Sequence, residues 1–184
     1  MSTTPSDLTQ HGEALIYAMI NTANPSPTNG AASGTNTTIG APTALTSDPS
    51  GKNTSVVLTA ISGQGYTGTE TFYYDRLDIQ TQVMAVKAPS GATLVNKLTY
   101  NTIADILVDL NAAYGLDILA ADLSNSTASA VVNTYPGSLT LDIAATCLTY
   151  TGTLTVAITD PAIAVASVLS TTVMTGLIAP PPPF

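Results

Sequence analysis

Apolar and polar residues alternate in several short stretches of the chain, and this alternation predicts strands that are buried on one face. The most regular example is the pair of segments 139–147 and 154–159, in which apolar side chains recur at every second position. Successive side chains of a strand point to opposite faces, so these segments are predicted to form a hairpin with one buried face. Cys147 is in phase with the apolar positions, which predicts that it is a small core residue.

A second group of strands is predicted around the stretch 63–79. Its glycine-rich beginning, 63–68, predicts a turn, since glycine adopts backbone angles that other residues avoid. The continuation is rich in Thr, Tyr and Phe and predicts a strand with Phe72, Tyr74 and Arg76 on one face. Further extended segments are predicted on either side of this stretch: 56–61, 83–88 and 94–100.

Part of this stretch is repeated later in the chain. Tyr66-Thr67-Gly68-Thr69 returns as Tyr150-Thr151-Gly152-Thr153, and each copy continues with a threonine two positions further on and then an apolar strand. The repeat predicts two β-modules, the second plainer than the first.

Helical patterns occur in two places. Residues 6–21 predict an N-terminal helix with a broad apolar surface in its C-terminal half. Residues 102–114 predict an amphipathic helix that begins with a capping box of Thr102 and Asp105 and is closed by Gly115. The predicted fold class is therefore α+β, mainly antiparallel β hairpins and small sheets with an N-terminal helix and one central amphipathic helix.

Two segments have a composition unlike that of the predicted strands and helices. Residues 25–53 are rich in Thr, Asn, Gly, Ser and Pro, which predicts an extended arm held against a neighbouring surface. The Pro-rich end predicts a polyproline II tail that is either a recognition peptide or a spacer. The predicted organisation has four parts: helix and arm (1–53), first β-module with the central helix (54–123), second β-module (124–176) and tail (177–184).

Charged residues make up only 9% of the chain, where about 25% is usual. A polar but nearly uncharged surface lacks the charges that keep exposed sheet edges apart, and it predicts a protein that works inside an assembly, as a homo-oligomer. The net charge is -8 with only four basic residues. Phosphate backbones and anionic lipids require clustered basic side chains, so neither nucleic acid nor a membrane is an expected partner.

The sequence contains no group of residues typical of catalysis or metal binding. His11 is the only histidine, and without a His/Cys cluster a zinc or iron site is excluded. Asp105 and Asp109 lack the glycine-bearing loop of calcium sites and are interpreted as a solvated helix face. Three charged residues of the central stretch are interpreted as a local ion-pair cluster: Asp75, Arg76 and Asp78. We therefore expect no catalytic residue, no cofactor and no metal, and a protein that is not an enzyme.

The motif Tyr66-Thr67-Gly68-Thr69, followed by Tyr74-Asp75-Arg76-Leu77-Asp78-Ile79, resembles a repeat in virion structural proteins of tailed bacteriophages, particularly those with large genomes. In those repeats Tyr-Thr-Gly-(Ser/Thr) precedes Tyr-Asn-Arg-hydrophobic-Asp-hydrophobic, and a helix and a weaker strand set follow. Asp75 stands where the repeats often have Asn, and the second copy here lacks Tyr-Asp-Arg. The resemblance covers roughly residues 54–160 and implies a non-enzymatic building block of the particle.

The function expected from the sequence is that of a bacteriophage virion structural protein in the capsid, neck or tail. It would dock onto other virion proteins through its N-terminal helix, its arm and its tail. The alternative is a carbohydrate-binding or adhesin-type β module of a fibre, in which exposed tyrosines stack on sugar rings. The residues predicted to contact partners come from the helix, the central stretch and the tail: Leu15, Ile16, Met19, Ile20, Tyr66, Tyr73, Tyr74, Arg76, Pro181, Pro182 and Phe184.

Overall fold

The computed structural model describes residues 12–25 and 30–160, and its fold is α+β, as the sequence predicts. Within these residues, nine strands form three small sheets. The strands are β1 (Thr37–Ile39), β2 (Thr43–Ala44), β3 (Thr54–Ala60), β4 (Thr69–Tyr74), β5 (Leu77–Asp78), β6 (Ala92–Val95), β7 (Gly137–Asp142), β8 (Tyr150–Thr151) and β9 (Thr153–Thr159). The helices are α1 (Gly12–Ala23), α2 (Ala85–Lys87) after a π-helical turn (Ile79–Met84), and α3 (Leu107–Tyr114) after a 3₁₀ turn (Ile103–Ile106); another 3₁₀ turn spans Ala120–Asp122.

The first sheet is built from the arm and the glycine-rich hairpin. β3 and β4 pair antiparallel, with Val56 opposite Phe72. β1 and β2, which both belong to the arm, pair antiparallel with β3 as well. The prediction that a neighbouring surface holds the arm is therefore wrong for this part, because β3 of the same chain holds it. The composition of the arm does not indicate this, since its pairing partner lies outside the arm.

The third sheet contains the predicted hairpin. β7 and β9 pair antiparallel, with Leu139 opposite Val156, which confirms the predicted pairing. β6 pairs in parallel with the other side of β9, so β9 is the central strand. β7 ends at Asp142, earlier than predicted, because the chain turns there. In the segment that follows, the carbonyl groups of Ala145 and Cys147 accept hydrogen bonds from Arg76. The remaining sheet is a short parallel pairing of β5 with β8.

The central helix is confirmed, and its ends are formed as predicted. The Asp105 carboxylate accepts a 2.7 Å hydrogen bond from the backbone N–H of Thr102, which completes the capping box. The first turn is 3₁₀ and continues into α3. The helix ends at Gly115, whose φ of 59° lies in the left-handed region that favours glycine.

The segment predicted as a strand at 83–88 is helical instead. Asp78 caps the π-helical turn by accepting a 2.8 Å hydrogen bond from the Thr81 backbone N–H. Val83 and Met84 are buried by this turn, so their apolar side chains pack as part of a helix rather than of a strand face. Of the extended segment predicted at 94–100, only the first two residues lie in β6.

The apolar side of α1 packs on the first sheet. Ile16 and Ile20 are buried in a cluster with Tyr74. Leu15 is buried too, and Met19 is half-buried against the same cluster. The prediction that this apolar surface docks onto a neighbouring subunit is therefore wrong, because the chain's own sheet covers it.

A larger core cluster joins the third sheet, α3 and the π-helical turn. Its most deeply buried aliphatic side chains include Ile79, Met84, Ile106, Leu110, Leu141 and Val156. Among the described residues no helix is long and apolar enough to cross a membrane. The predicted start of the N-terminal helix, His11 and the tail residues Pro181, Pro182 and Phe184 lie outside the described part, and the predicted domain limits stay a prediction.

Candidate functional site

Arg76 is the most deeply buried charged residue of the central stretch, with 6% of its surface exposed. Its Nε donates to Thr54 Oγ1 at 3.1 Å, and its Nη1 donates to the carbonyl oxygens of Ala145 and Cys147, each at 3.0 Å. The predicted ion pair with Asp75 or Asp78 is therefore wrong. The guanidinium instead joins β3 to the segment that follows β7, because its planar set of N–H donors reaches acceptors in two directions.

Tyr74 makes a parallel connection at the end of β4. It is 6% exposed, and its hydroxyl donates a 2.8 Å hydrogen bond to the carbonyl oxygen of Leu148. Burial raises the pKa of the Tyr74 phenol well above its usual range, although the nearby Arg76 charge acts in the opposite direction. The expectation that Tyr74 is an exposed platform for a sugar is wrong, because the ring lies in the core beneath α1.

Asp75 points to the other side of the chain and holds the beginning of β3. Its carboxylate accepts hydrogen bonds from Lys52 Nζ at 2.7 Å and from the Asn53 backbone N–H at 3.1 Å. The Lys52 hydrogen bond lowers the pKa of the Asp75 carboxyl, against a smaller effect of burial. The Asn53 side chain completes the connection by bonding both the N–H (2.8 Å) and the C=O (2.9 Å) of Arg76. We call Tyr74, Asp75 and Arg76 the clasp, because each holds a segment distant in sequence.

The second copy of the Tyr-Thr-Gly repeat lies next to the clasp. β5 follows the first copy and pairs in parallel with β8, which opens the second copy, so that Asp78 lies opposite Thr151. Gly152 has a φ of +84°, and a Cβ there would lie 2.5 Å from Oδ2 of Asp78. Gly68 of the first copy has nearly the same φ, +82°, but open space around it. Two features therefore favour glycine at 152: the positive φ and the close approach of the Asp78 carboxylate.

Comparison with known protein families identifies the family of the chain. A model of a family of unknown function, DUF7941, matches residues 5–183. The chain belongs to the DUF7941 family. No curated protein and no solved structure matches it.

Two of the predicted contact tyrosines of this DUF7941 chain remain accessible. Tyr73 is 49% exposed on the solvent face of the first sheet, next to the 43% exposed Val57. Tyr66 is half-buried beside a depression of about 240 Å³ at the glycine-rich turn, and its hydroxyl donates to the Gly30 carbonyl oxygen.

Asp109 and Cys147, two further ionisable side chains, have structural surroundings. Asp109 accepts hydrogen bonds from Lys97 at 2.7 Å and from the Tyr100 hydroxyl, and these lower its pKa. Cys147 is buried as predicted, and burial raises the pKa of its thiol. Within residues 12–25 and 30–160, no three His, Cys, Asp or Glu side chains are placed to hold a metal ion.

Sequence reasoning missed Asn53 and the carbonyl groups of the segment after β7. Backbone acceptors carry no sequence signature, so Ala145 and Cys147 were not candidates for binding Arg76. Asn53 stands among many Asn and Thr residues of the arm, and composition does not single it out.

Proposed function

We propose that this DUF7941 chain is a structural protein of a bacteriophage particle, not an enzyme. The observation that carries the proposal is the clasp, because the motif that resembles the virion repeats is used for architecture. Arg76 binds two backbone carbonyls and a threonine, and Tyr74 binds a third carbonyl. The buried polar groups of Tyr74 and Arg76 are thus used to join segments of the fold and are not directed at a small molecule.

The contacts with other virion proteins are proposed to come from the exposed face of the first sheet and from the tail residues Pro181, Pro182 and Phe184. The exposed face carries Val57 and Tyr73 among threonines and is nearly free of charge. Uncharged side chains with an aromatic centre are typical of the interior of protein interfaces. The N-terminal helix is not among the proposed contact surfaces, since its apolar side is buried within the chain.

The test is mass spectrometry of density-purified particles of the phage that encodes the chain. We expect peptides of the chain at a copy number comparable with other particle proteins, and we expect them to remain after a high-salt wash. The unbound protein fraction of the same lysate is the control. Recovery of the chain only from that fraction would show that it is not a component of the particle.

A second candidate function is glycan binding, and the exposure of Tyr73 favours it. An aromatic ring on an open, polar sheet face is suited to stacking on a sugar. The depression beside Tyr66, at about 240 Å³, is smaller than the roughly 300 Å³ at which ligand pockets begin. A glycan array distinguishes the candidates: binding that Tyr73→Ala abolishes and Tyr66→Ala does not would favour this function over a purely structural role.

A further inference from the structure

Within the described residues, no strand pairs with the outer edge of β4. The hydrogen bond from the Ala60 N–H to the Gly68 carbonyl (3.0 Å) fixes the phase of the β3–β4 ladder. In an antiparallel ladder, alternate residues direct both backbone groups at the partner, so the N–H and C=O groups of Thr69, Thr71 and Tyr73 point away from β3. Among the described residues, one hydrogen bond reaches these groups, from the Thr71 N–H to the Glu70 carboxylate at 3.2 Å.

The two edges of the third sheet, in contrast, are closed by side chains. On β6, the Tyr114 hydroxyl accepts from the Thr93 N–H (2.7 Å) and donates to the Thr93 carbonyl (3.0 Å). On β7, the Asn125 side chain donates to the Thr140 carbonyl (2.9 Å) and accepts from the Asp142 N–H (3.0 Å). Each side chain occupies the position that a further strand would take. The fold therefore protects these edges and leaves β4 available.

The opposite edge of the first sheet is also a poor template for a strand. It consists of two short strands, β1 and β2, separated by residues 40–42. Pro42 has no N–H to donate. The Thr37 N–H, at the start of β1, is already bonded to the Ser33 carbonyl at 3.0 Å. β4 is thus the longest unprotected edge in the part of the chain that the structure describes.

We propose that β4 pairs antiparallel with β4 of a second copy of this chain, about a two-fold axis at Thr71. In this register Thr71 faces Thr71, and Thr69 faces Tyr73, so the outward groups form six hydrogen bonds between the copies. Glu70, the sole charged residue of β4, faces Phe72 of the other copy rather than a second Glu70. No like charges therefore face each other directly across the two-fold axis, and the two first sheets become one continuous sheet.

This inference rests on the proposed function, because a subunit interface is of use to a protein that works in an assembly. The proposed function and the proposed β4 contact can be disproved independently. Presence in purified particles tests the function, whereas the contact between β4 strands is tested on the isolated full-length chain.

The experiment compares Thr71→Cys with Thr38→Cys in a cross-linking assay. Both residues lie on the solvent face of the first sheet, and the native Cys147 is buried. In the proposed dimer the two Cα atoms at 71 are about 5.5 Å apart, whereas the two at 38 are separated by five strand spacings, about 24 Å. With a short bis-maleimide we expect at least about tenfold more covalent dimer from Thr71→Cys.

A charge variant tests the same contact without a cross-linker. Thr71→Lys places two lysines opposite each other across the two-fold axis, and we expect dimerisation by sedimentation equilibrium to weaken at least about fivefold at low salt. Thr38→Lys is the control and is expected to leave the dimer unchanged. Equal cross-linking at 71 and 38, an unaffected Thr71→Lys dimer, or a wild-type chain that stays monomeric would each overturn the proposal.

Discussion

The hydroxyl group of Tyr74 donates a 2.8 Å hydrogen bond to the carbonyl oxygen of Leu148, across a sequence separation of 74 residues. Tyr74 is 6% exposed and Leu148 is half-buried. The bond connects the sheet on which α1 packs to the segment that leads into the third sheet. Removing this hydrogen bond therefore measures how strongly the clasp joins the first sheet to the segment that leads into the third sheet.

We expect Tyr74→Phe to lower the free energy of unfolding by about 1 kcal/mol, because the hydrogen bond from the buried Tyr74 hydroxyl to the Leu148 carbonyl would be lost. Urea unfolding of the purified chain measures this. Tyr73→Phe is the matched control, since the neighbouring ring is exposed, and it should change stability by less than about 0.5 kcal/mol. Equal effects of the two variants would contradict a specific role for the Tyr74 hydroxyl.

Arg76→Met should destabilise the chain more strongly, by about 3 kcal/mol. The substitution retains the aliphatic stem but removes the donors to the buried Thr54 and Cys147 and to the carbonyl of Ala145. Lys52→Met breaks the exposed Lys52–Asp75 ion pair and should cost less than about 1 kcal/mol. Chemical denaturation of both variants provides the comparison. A small loss for Arg76→Met would mean that water replaces the guanidinium at these carbonyls.

The two repeat glycines allow a matched test of backbone angle against close contact. Gly68→Ala should cost about 1 kcal/mol, since φ is +82° but the space is open. Gly152→Ala should cost at least about 1 kcal/mol more than that, because its Cβ would also clash with Asp78. The double variant Asp78→Ala/Gly152→Ala should recover part of the difference in a double-mutant cycle. Additive effects would show that Asp78 moves away at no cost.

The capping box predicts an acid-sensitive contribution to stability. Hydrogen bonds from Thr102 lower the pKa of the Asp105 carboxyl below its usual range, so the folded chain favours the ionised carboxylate. The unfolded chain then binds more protons between the two pKa values, and this stabilisation is present above the unfolded pKa of about 3.9 and is lost as pH falls through the folded pKa. Asp105→Asn should lower the urea midpoint at pH 7, and the gap to wild type should narrow towards pH 3. A gap that stays constant with pH would contradict this.

The parts of the fold that the sequence predicts well are those fixed by local chemistry. The capping box at Thr102, the left-handed Gly115 and the alternation in β7 and β9 depend on neighbours a few residues away. The apolar pattern at 83–88 predicts a strand, but the cap that Asp78 supplies starts a helical turn before this segment.

The parts that the sequence does not predict depend on distant partners. The arm forms strands because β3 supplies hydrogen bonds, and the composition of the arm alone suggests no such partner. The sequence predicts ion pairs between Arg76 and the neighbouring carboxylates. In the structure, Arg76 Nη1 instead donates to carbonyl groups 69 and 71 residues away. A buried guanidinium satisfied by backbone oxygen atoms leaves no acidic residue in the sequence to point to it.

The position of β9 also determines when the main core can form during synthesis. β9 is the centre of the third sheet, yet it is the last strand of the described chain, and it is the only described strand with which β6 pairs. The carbonyl groups that Arg76 needs are translated late as well. Until β9 has been translated, a nascent chain therefore leaves the β6 edge unpaired, and the main core closes only after that strand is available.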